Sequence, residues 1–149
     1  MKRNAGFTLI DVMATLAVIV ILAALTLPSL GQYVVKSKRA QAQAALLQLM
    51  QQQERYYSQN NSYVAFSSSS TDVPATLFKW WSGHTAAASA YELRALACAD
   101  EAIIDCVQLS AIPGTVKVDQ NFGDGDCGTL TLNSRGERAA SGAAAHCWP

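Results

Sequence analysis

The sequence predicts an α+β fold in which a long N-terminal helix packs on a small antiparallel sheet, and three observations indicate it. First, an apolar run over residues 7–27 passes into an amphipathic helical pattern that continues to about residue 57. Second, residues 91–96 and 129–133 alternate between apolar and polar side chains, as half-buried strands do. Third, an even number of cysteines, 4 in all, lies beyond the helix and predicts disulfides in a small domain.

The first half of the helix, residues 7–30, is predicted to span a membrane and, later, to contact other subunits of an assembly. As a helix this segment would extend about 36 Å at ~1.5 Å per residue, which exceeds the roughly 30 Å of a hydrocarbon core. Lys2 and Arg3 precede it and favour a cytoplasmic N-terminus, although basic residues also follow the segment, so charge alone does not fix the orientation. A secretory signal cut near Ala23 is the alternative, which the acid inside the segment and its apolar length disfavour.

Asp11 lies inside this apolar segment and needs a partner there. Inserting a carboxylate into a membrane costs about 2.5 to 3.5 kcal/mol, so an intramembrane acid marks a functional site. If the chain is cut between Gly6 and Phe7, the new α-amino group lies four residues before Asp11. We predict that this amine, from the same chain or from a neighbour, is the partner. The alternative is that Asp11 lies near the lipid headgroups at the N-terminus of the helix and is stabilised there only by the helix dipole.

Residues 1–11, the apolar helix after them and Pro28 resemble the class III signal of type IV pilins and related pseudopilins. The resemblance implies that a prepilin peptidase cuts between Gly6 and Phe7, which makes residues 1–6 a cleaved leader, and N-methylates Phe7. It also implies that Asp11 neutralises the N-terminus of an adjoining subunit during assembly. The family acid is Glu, and the Asp of this chain keeps the charge but shortens the reach by one methylene.

Residues 31–57 are predicted to form the amphipathic second half of the helix. Ala42 and Leu46 recur at helical spacing, and glutamines fill much of the remaining surface. Pro28 and Gly31 mark the joint between the two halves, where the missing backbone donor of a proline can kink or unwind a helix. The resemblance implies that this joint loosens when subunits pack, and a simple kink is the alternative.

Residues 58–149 are predicted to form an antiparallel sheet of three to five strands with its loops. Besides the two alternating segments, residues 107–112 and 116–118 are weaker strand predictions. Asn60 and Asn61 should end the helix, because Asn tolerates the left-handed conformation. The predicted α+β head on a helical stalk, with a disulfide-bounded C-terminal loop, is the type IV pilin fold that the resemblance implies.

The cysteines allow three pairings. We favour Cys98 with Cys106, which would close a short acidic loop, and Cys127 with Cys147, which would tie the C-terminus back to the sheet. The second pair rests partly on resemblance, because the sequence around these two cysteines is similar to the C-terminal region of a minor-pilin subgroup. In that subgroup the disulfide-bounded loop is an exposed, variable surface.

Composition and motifs give no support to an enzyme, a cofactor or a metal site. The formal net charge is 0, from 11 basic and 11 acidic residues, and becomes slightly acidic without the leader. Residues 119–126 begin like an EF-hand, but Leu130 stands where the bidentate Glu belongs. That match fails, and a calcium loop of another kind is the remaining alternative. His84 and His146 are the only histidines, and neither lies in a catalytic or zinc-binding spacing.

The leading interpretation is a non-enzymatic, structural minor subunit of a type IV pilus, as the resemblance implies. Its partners would be other pilin subunits, the prepilin peptidase, the inner-membrane assembly platform and, before assembly, membrane lipid. The head would lie in the periplasm and later on the pilus at the cell surface. There it would contribute to pilus biogenesis, adhesion, twitching motility or DNA uptake.

Two other interpretations stay open. The same minor-pilin subgroup includes receptors for DNA uptake sequences, and Lys117, Arg135 and Arg138 are candidates for a small basic stripe, although acidic residues surround them in sequence. A type II secretion pseudopilin is the other interpretation, which a calcium-bound C-terminal loop would favour. The cysteines favour a pilin over a pseudopilin.

Overall fold

The structure is a computed structural model that describes residues 8–149, apart from the side chains of residues 25–29. Its elements follow in chain order as helix α1 (Leu9–Asn60), a 3₁₀ turn (Ala75–Leu77) and strands β1 (Tyr91–Ala97), β2 (Val107–Pro113), β3 (Leu130–Asn133) and β4 (Arg138–Ala140). The chain divides into two compact units, Met1–Lys36 and Ser37–Pro149, and the boundary falls within α1. One long helix followed by a sheet confirms the predicted α+β class.

Helix α1 is 52 residues long and ends where the sequence predicts a stop. Asn61 has a φ of 52°, the left-handed conformation that Asn tolerates, and its N–H donates to the carbonyl of Tyr57 at 2.8 Å. The helix runs without a break through Pro28 and Gly31, so the kink expected there stays a prediction. Within the part of the chain that the structure describes, no helix combines the length and the hydropathy of a membrane-spanning segment.

The four strands form one antiparallel sheet in which each strand pairs with the next one along the chain. Leu93 lies opposite Ala111 across β1 and β2, so that both side chains point to the same face. At the other edge of β1, Phe66 and Trp81 each form a single bridge with it. These bridges occupy backbone groups that an edge strand otherwise exposes.

One hydrophobic core joins the second half of α1 to the inner face of the sheet. Ala42 and Leu46 are buried, as their helical spacing predicts, and with Leu49 they belong to the same cluster as Leu93 and Leu109 of the sheet. Full burial of a leucine side chain stabilises a protein by about 1.5 to 3 kcal/mol. The core therefore holds the sheet on this part of the helix.

The strand predictions are confirmed in part. Strands β1, β2 and β3 lie within one residue of the predicted segments. Residues 116–118 form a turn instead of a strand, in which the N–H of Val118 donates to the carbonyl of Thr115 at 3.1 Å. Strand β4 has only 3 residues, too few for an alternation to be visible in the sequence.

Candidate functional site

Asp11 caps the helix on which it lies. Its Oδ2 atom accepts hydrogen bonds from the backbone N–H of Thr8 at 3.0 Å and from the Thr8 hydroxyl at 2.7 Å. A carboxylate in this position accepts a hydrogen bond from a backbone N–H that has no partner within the helix. The positive end of the helix dipole also stabilises its negative charge. Sequence reasoning missed Thr8, although its spacing of three residues from the acid is that of a capping box.

The first half of α1 presents a large apolar surface in the single chain. Leu9, Ile10 and Ile19 are 80%, 74% and 61% exposed, and most of the large apolar side chains between residues 9 and 22 are exposed with them. Continuous apolar surface of this kind marks contact with lipid or with another protein. Asp11 therefore lies within a surface that the single chain leaves uncovered.

The predicted processing site directly precedes these residues in the sequence. Gly6 and Phe7, where cleavage and methylation are expected, are outside the described residues, as are Lys2 and Arg3. Cleavage and methylation at these positions stay predictions.

A buried ion pair joins α1 to the C-terminal part of the head. The Arg39 guanidinium donates through Nη2 to Asp124 Oδ1 at 2.6 Å and through Nε to Oδ2 at 2.8 Å. The two side chains are only 5% and 0% exposed. The Tyr91 hydroxyl donates to Oδ2 at 2.6 Å, and the N–H of Cys127 donates to Oδ1 at 3.2 Å. The helix, strand β1 and the loop before β3 thus meet at one carboxylate.

This network shifts the pKa values of its members away from neutrality. Burial raises the pKa of Asp124, but the hydrogen bonds from Arg39, Tyr91 and Cys127 outweigh it, and the pKa lies below its usual value. The hydrogen bond to Asp124 raises the pKa of Arg39. Burial, followed by the hydrogen bond to Asp124, raises the pKa of Tyr91. General acid–base catalysis needs a group that titrates near the working pH, which these shifts do not provide. The buried hydrogen bonds between the helix, β1 and the loop before β3 support a structural role for this site.

Two disulfides close the head, and they are the pairings favoured from the sequence. Cys98 pairs with Cys106, and Cys127 pairs with Cys147, with Cα atoms 5.4 Å apart in both. The second bond encloses strands β3 and β4, and closing a loop of this length contributes about 3 kcal/mol. Gln43 of α1 donates to the Cys147 carbonyl at 2.7 Å. The helix therefore also contacts the end of the disulfide-bounded loop.

The three basic residues predicted for nucleic-acid contact lie in different parts of the sheet and its loops. Arg135 lies in the turn between β3 and β4 and makes a bidentate ion pair with Glu101, at 2.8 and 2.5 Å. Arg138 begins β4, with its guanidinium 5.4 Å from the centre of the Trp148 ring. Lys117 lies in the turn after β2, beyond Pro113, whereas the turn that contains Arg135 lies at the Val107 end of that strand. A nucleic-acid contact of these three residues stays a prediction.

The geometry also disfavours a metal in the loop of residues 119–126. Both oxygens of Asp124 accept hydrogen bonds from protein donors. Among residues 8–149, one group with metal-ligand geometry is found, formed by Cys98, Glu101 and Cys106. The two cysteine sulfurs of this group form a disulfide, and the Glu101 carboxylate pairs with Arg135. A cysteine binds a metal as a free thiolate, so these sulfurs are not available as ligands.

Comparison with protein-family models decides the identity of the chain. Residues 28–131, more than half of the chain, match the family described as type IV minor pilin ComP, DNA uptake sequence receptor. The chain belongs to this family. Residues 1–27 of this minor pilin match the prokaryotic N-terminal methylation motif. The predictions of a type IV pilin and of a pilus subunit are thereby confirmed.

The minor pilin is also similar to solved pilin structures. A type IV pilin from Shewanella oneidensis is 26% identical, with 77% of the minor pilin and 98% of that chain covered and a TM-score of 0.47. The non-core minor pilin PilV from Neisseria meningitidis is 23% identical, with 77% and 94% covered and a TM-score of 0.50. The second likeness supports the type IV pilin fold. No curated protein matches the minor pilin.

Proposed function

We propose that this minor pilin is made as an inner-membrane precursor, is cut between Gly6 and Phe7 by a prepilin peptidase, and enters the pilus through its N-terminal helix. The methylation motif and the pilin family support this sequence of steps. The observation that carries it is the exposed apolar surface of residues 9–22. Such a surface needs lipid before assembly and the helices of neighbouring pilins afterwards.

Asp11 has a second function in this proposal, because it pairs with the methylated amine of Phe7 from its own chain or from a neighbouring subunit. Its Oδ2 atom accepts both hydrogen bonds from Thr8, and Oδ1 has no partner among the residues that the structure describes. One carboxylate can therefore cap its helix and accept an ammonium at the same time. The pairing neutralises two charges that would otherwise lie uncompensated among apolar helices.

The head of this minor pilin supplies a displayed surface. The Arg39–Asp124 pair and the disulfide between Cys127 and Cys147 attach the C-terminal loop to the helix. Before assembly the head lies in the periplasm, where the inner-membrane platform receives the subunit, and afterwards it lies on the pilus. A loop fastened in this way can vary on its exposed side without loss of the fold.

Intact mass and N-terminal analysis of the protein extracted from membranes test the processing. We expect a chain that begins at N-methylated Phe7 and lacks four hydrogens because of its two disulfides. A Gly6→Leu variant should keep the leader, whereas Asn4→Ala, its matched control within the leader, should be cut normally. A start near Leu25 would instead indicate a secretory signal and would contradict the proposal.

A second candidate function is DNA binding during uptake, because the description of the matched family names a DNA uptake sequence receptor. Arg135 lies in the turn between β3 and β4, and Arg138, three positions later, begins β4. Arg135 is paired with Glu101, so a phosphate would have to replace that carboxylate. Affinity that rests on two arginines should be low and should fall only modestly with salt, because the salt dependence grows with the number of phosphates that are neutralised.

An electrophoretic shift of duplex DNA at low salt by the full-length minor pilin tests this second function. The Arg135→Gln/Arg138→Gln variant should lose the shift, and Lys117→Gln, a change at the other end of β2, should retain it. A shift that is unchanged in the double variant would contradict the assignment to these arginines. No shift with the wild-type protein would remove DNA binding as a function of the isolated subunit.

A further inference from the structure

A cavity of about 570 Å³ lies between α1 and the segment that precedes β1. Lys38, Gln41, Gln48 and Gln52 line the helical wall, and residues 79–88 provide most of the opposite wall. Sites for small ligands have volumes of about 300 to 1,000 Å³. The cavity has no part in the proposed processing or assembly, so an inference from it goes beyond that function.

The helical wall presents the side-chain amides of three glutamines, Gln41, Gln48 and Gln52, with Ala45 between the first two. Gln41, Ala45, Gln48 and Gln52 follow one another at intervals of three or four residues, which places them on one face of α1. Gln52 donates to the Leu77 carbonyl at 3.1 Å, while the side chains of Gln41 and Gln48 make no hydrogen bond within the described chain. Each free amide offers both donors and acceptors, and the short side chain of Ala45 leaves space between them.

The charged groups that line the cavity are all basic. Within residues 8–149 its lining contains Lys38 and Lys79 and no acid. The Lys38 ammonium donates to the Ala88 carbonyl at 3.5 Å, and the Lys79 ammonium donates to the Gly83 carbonyl. Neither lysine forms an ion pair with a described carboxylate. Because an ammonium has three N–H donors, both lysines keep donors for an anionic ligand.

The loop that forms the wall opposite α1 is held in place by the protein itself. Buried Ser89 accepts a hydrogen bond from the Gly83 N–H at 2.7 Å and donates to the Thr85 carbonyl at 2.6 Å. The indole N–H of Trp81 donates to the His84 carbonyl at 3.3 Å, and Trp81 lines the cavity. A wall that is ordered before binding lowers the entropic cost of binding.

We propose that this cavity binds a short acidic saccharide, with its carboxylate or sulfate between Lys38 and Lys79. The ring hydroxyls exchange hydrogen bonds with Gln41 and Gln48. Hydroxyl groups need donors and acceptors together, which amides supply. A DNA duplex is bound mainly through its phosphates, which need hydrogen-bond donors and more basic residues than two lysines. The mixed donors and acceptors of this lining therefore fit a saccharide better than DNA.

Isothermal titration calorimetry of the detergent-solubilised full chain tests the proposal. The probes are tetrasaccharides of hyaluronan, polygalacturonate and heparin, neutral chitotetraose, and a short DNA duplex. We expect at least one acidic tetrasaccharide to bind, and the Lys38→Gln/Lys79→Gln variant to raise its Kd about tenfold or more, because charge-assisted hydrogen bonds are lost. Lys117→Gln, which removes an exposed lysine outside the cavity, is the matched control and should bind normally.

Several results would overturn the proposal. They are a failure of all three acidic tetrasaccharides to bind, binding of chitotetraose as tight as that of the acidic probes, and an unchanged Kd in the double lysine variant. Duplex binding that is lost in that variant, without saccharide binding, would instead make the cavity a nucleic-acid site. Gln48 lines the cavity at an exposed position of α1, so Gln48→Ala leaves the core intact. This variant should also weaken binding of the acidic tetrasaccharide, and a fold defect would not explain that loss.

Discussion

Replacing Asp124 by Asn is expected to lower the free energy of unfolding of the head by about 3 to 5 kcal/mol, the usual effect of removing one partner of a buried ion pair. Arg39 would keep its charge although only 5% of its side chain is exposed. The Tyr91 hydroxyl and the Cys127 N–H donate to the same carboxylate and would retain a weaker, neutral acceptor. Guanidinium chloride unfolding of the detergent-solubilised protein, followed by near-ultraviolet circular dichroism, measures the loss.

Asp126→Asn is the matched control for this substitution. The Asp126 carboxylate lies 3.6 Å from the same guanidinium, but its side chain is 67% exposed. Exposed ion pairs contribute about 0 to 1 kcal/mol, so this variant should unfold almost like the wild type. Equal losses in the Asp124 and Asp126 variants would show that burial does not set the strength of the pair.

The wild-type head should lose the contribution of this pair in acid. The pKa of Asp124 is lower in the folded head than the value of about 3.9 expected for an unfolded chain, so the folded state binds fewer protons. The stability from ionised Asp124 is therefore fully present above about pH 4 and declines as the pH falls through the folded pKa. The difference between wild type and Asp124→Asn should narrow below about pH 4, and a difference that stays constant there would contradict this account.

The repeating elements of this fold are easier to predict from sequence than the contacts that join them. The helix and strands β1 to β3 follow from periodicities that a short window contains. Arg39 and Asp124 are 85 positions apart, and no local pattern connects them. In the sequence, Arg39 is one of several basic residues after the apolar run, and Asp124 lies in a loop that begins like a calcium site. The pairing depends on the tertiary fold.

Gln53 shows the same limit, and the helix cap shows where the sequence does carry the signal. Gln53 ends a run of three glutamines that suggests a solvent-facing surface, yet it is fully buried and bonds both backbone groups of Val64, at 2.7 and 2.9 Å. Its burial depends on where the chain returns after the helix. The contact between Thr8 and Asp11 spans one helical turn, so the spacing in the sequence contains the signal for it, although that signal was missed.

Replacing Asp11 by Ala is expected to leave the minor pilin inserted in the membrane and cleaved, but to abolish its incorporation into pili sheared from cells. Membrane insertion depends on the apolar residues, which this substitution leaves in place. Without the carboxylate, the methylated amine of a neighbouring subunit would lie uncompensated among apolar helices, which is costly in a medium that solvates charge poorly. Immunoblots of the membrane fraction and of the sheared pili, scaled to total protein, measure both outcomes.

Because Asp11 also caps its own helix, three further variants separate the cap from the charge pairing. Asp11→Asn keeps an oxygen that can accept from the Thr8 N–H but removes the charge, so the pairing predicts no incorporation. Thr8→Val removes the hydroxyl that donates to Asp11 at 2.7 Å and keeps the charge, so this variant should be incorporated. Asp11→Glu restores the acid of the family that the N-terminal segment resembles and should also be incorporated. Wild-type incorporation of Asp11→Asn would instead assign the carboxylate to helix capping alone, because a neutral acceptor would then be sufficient.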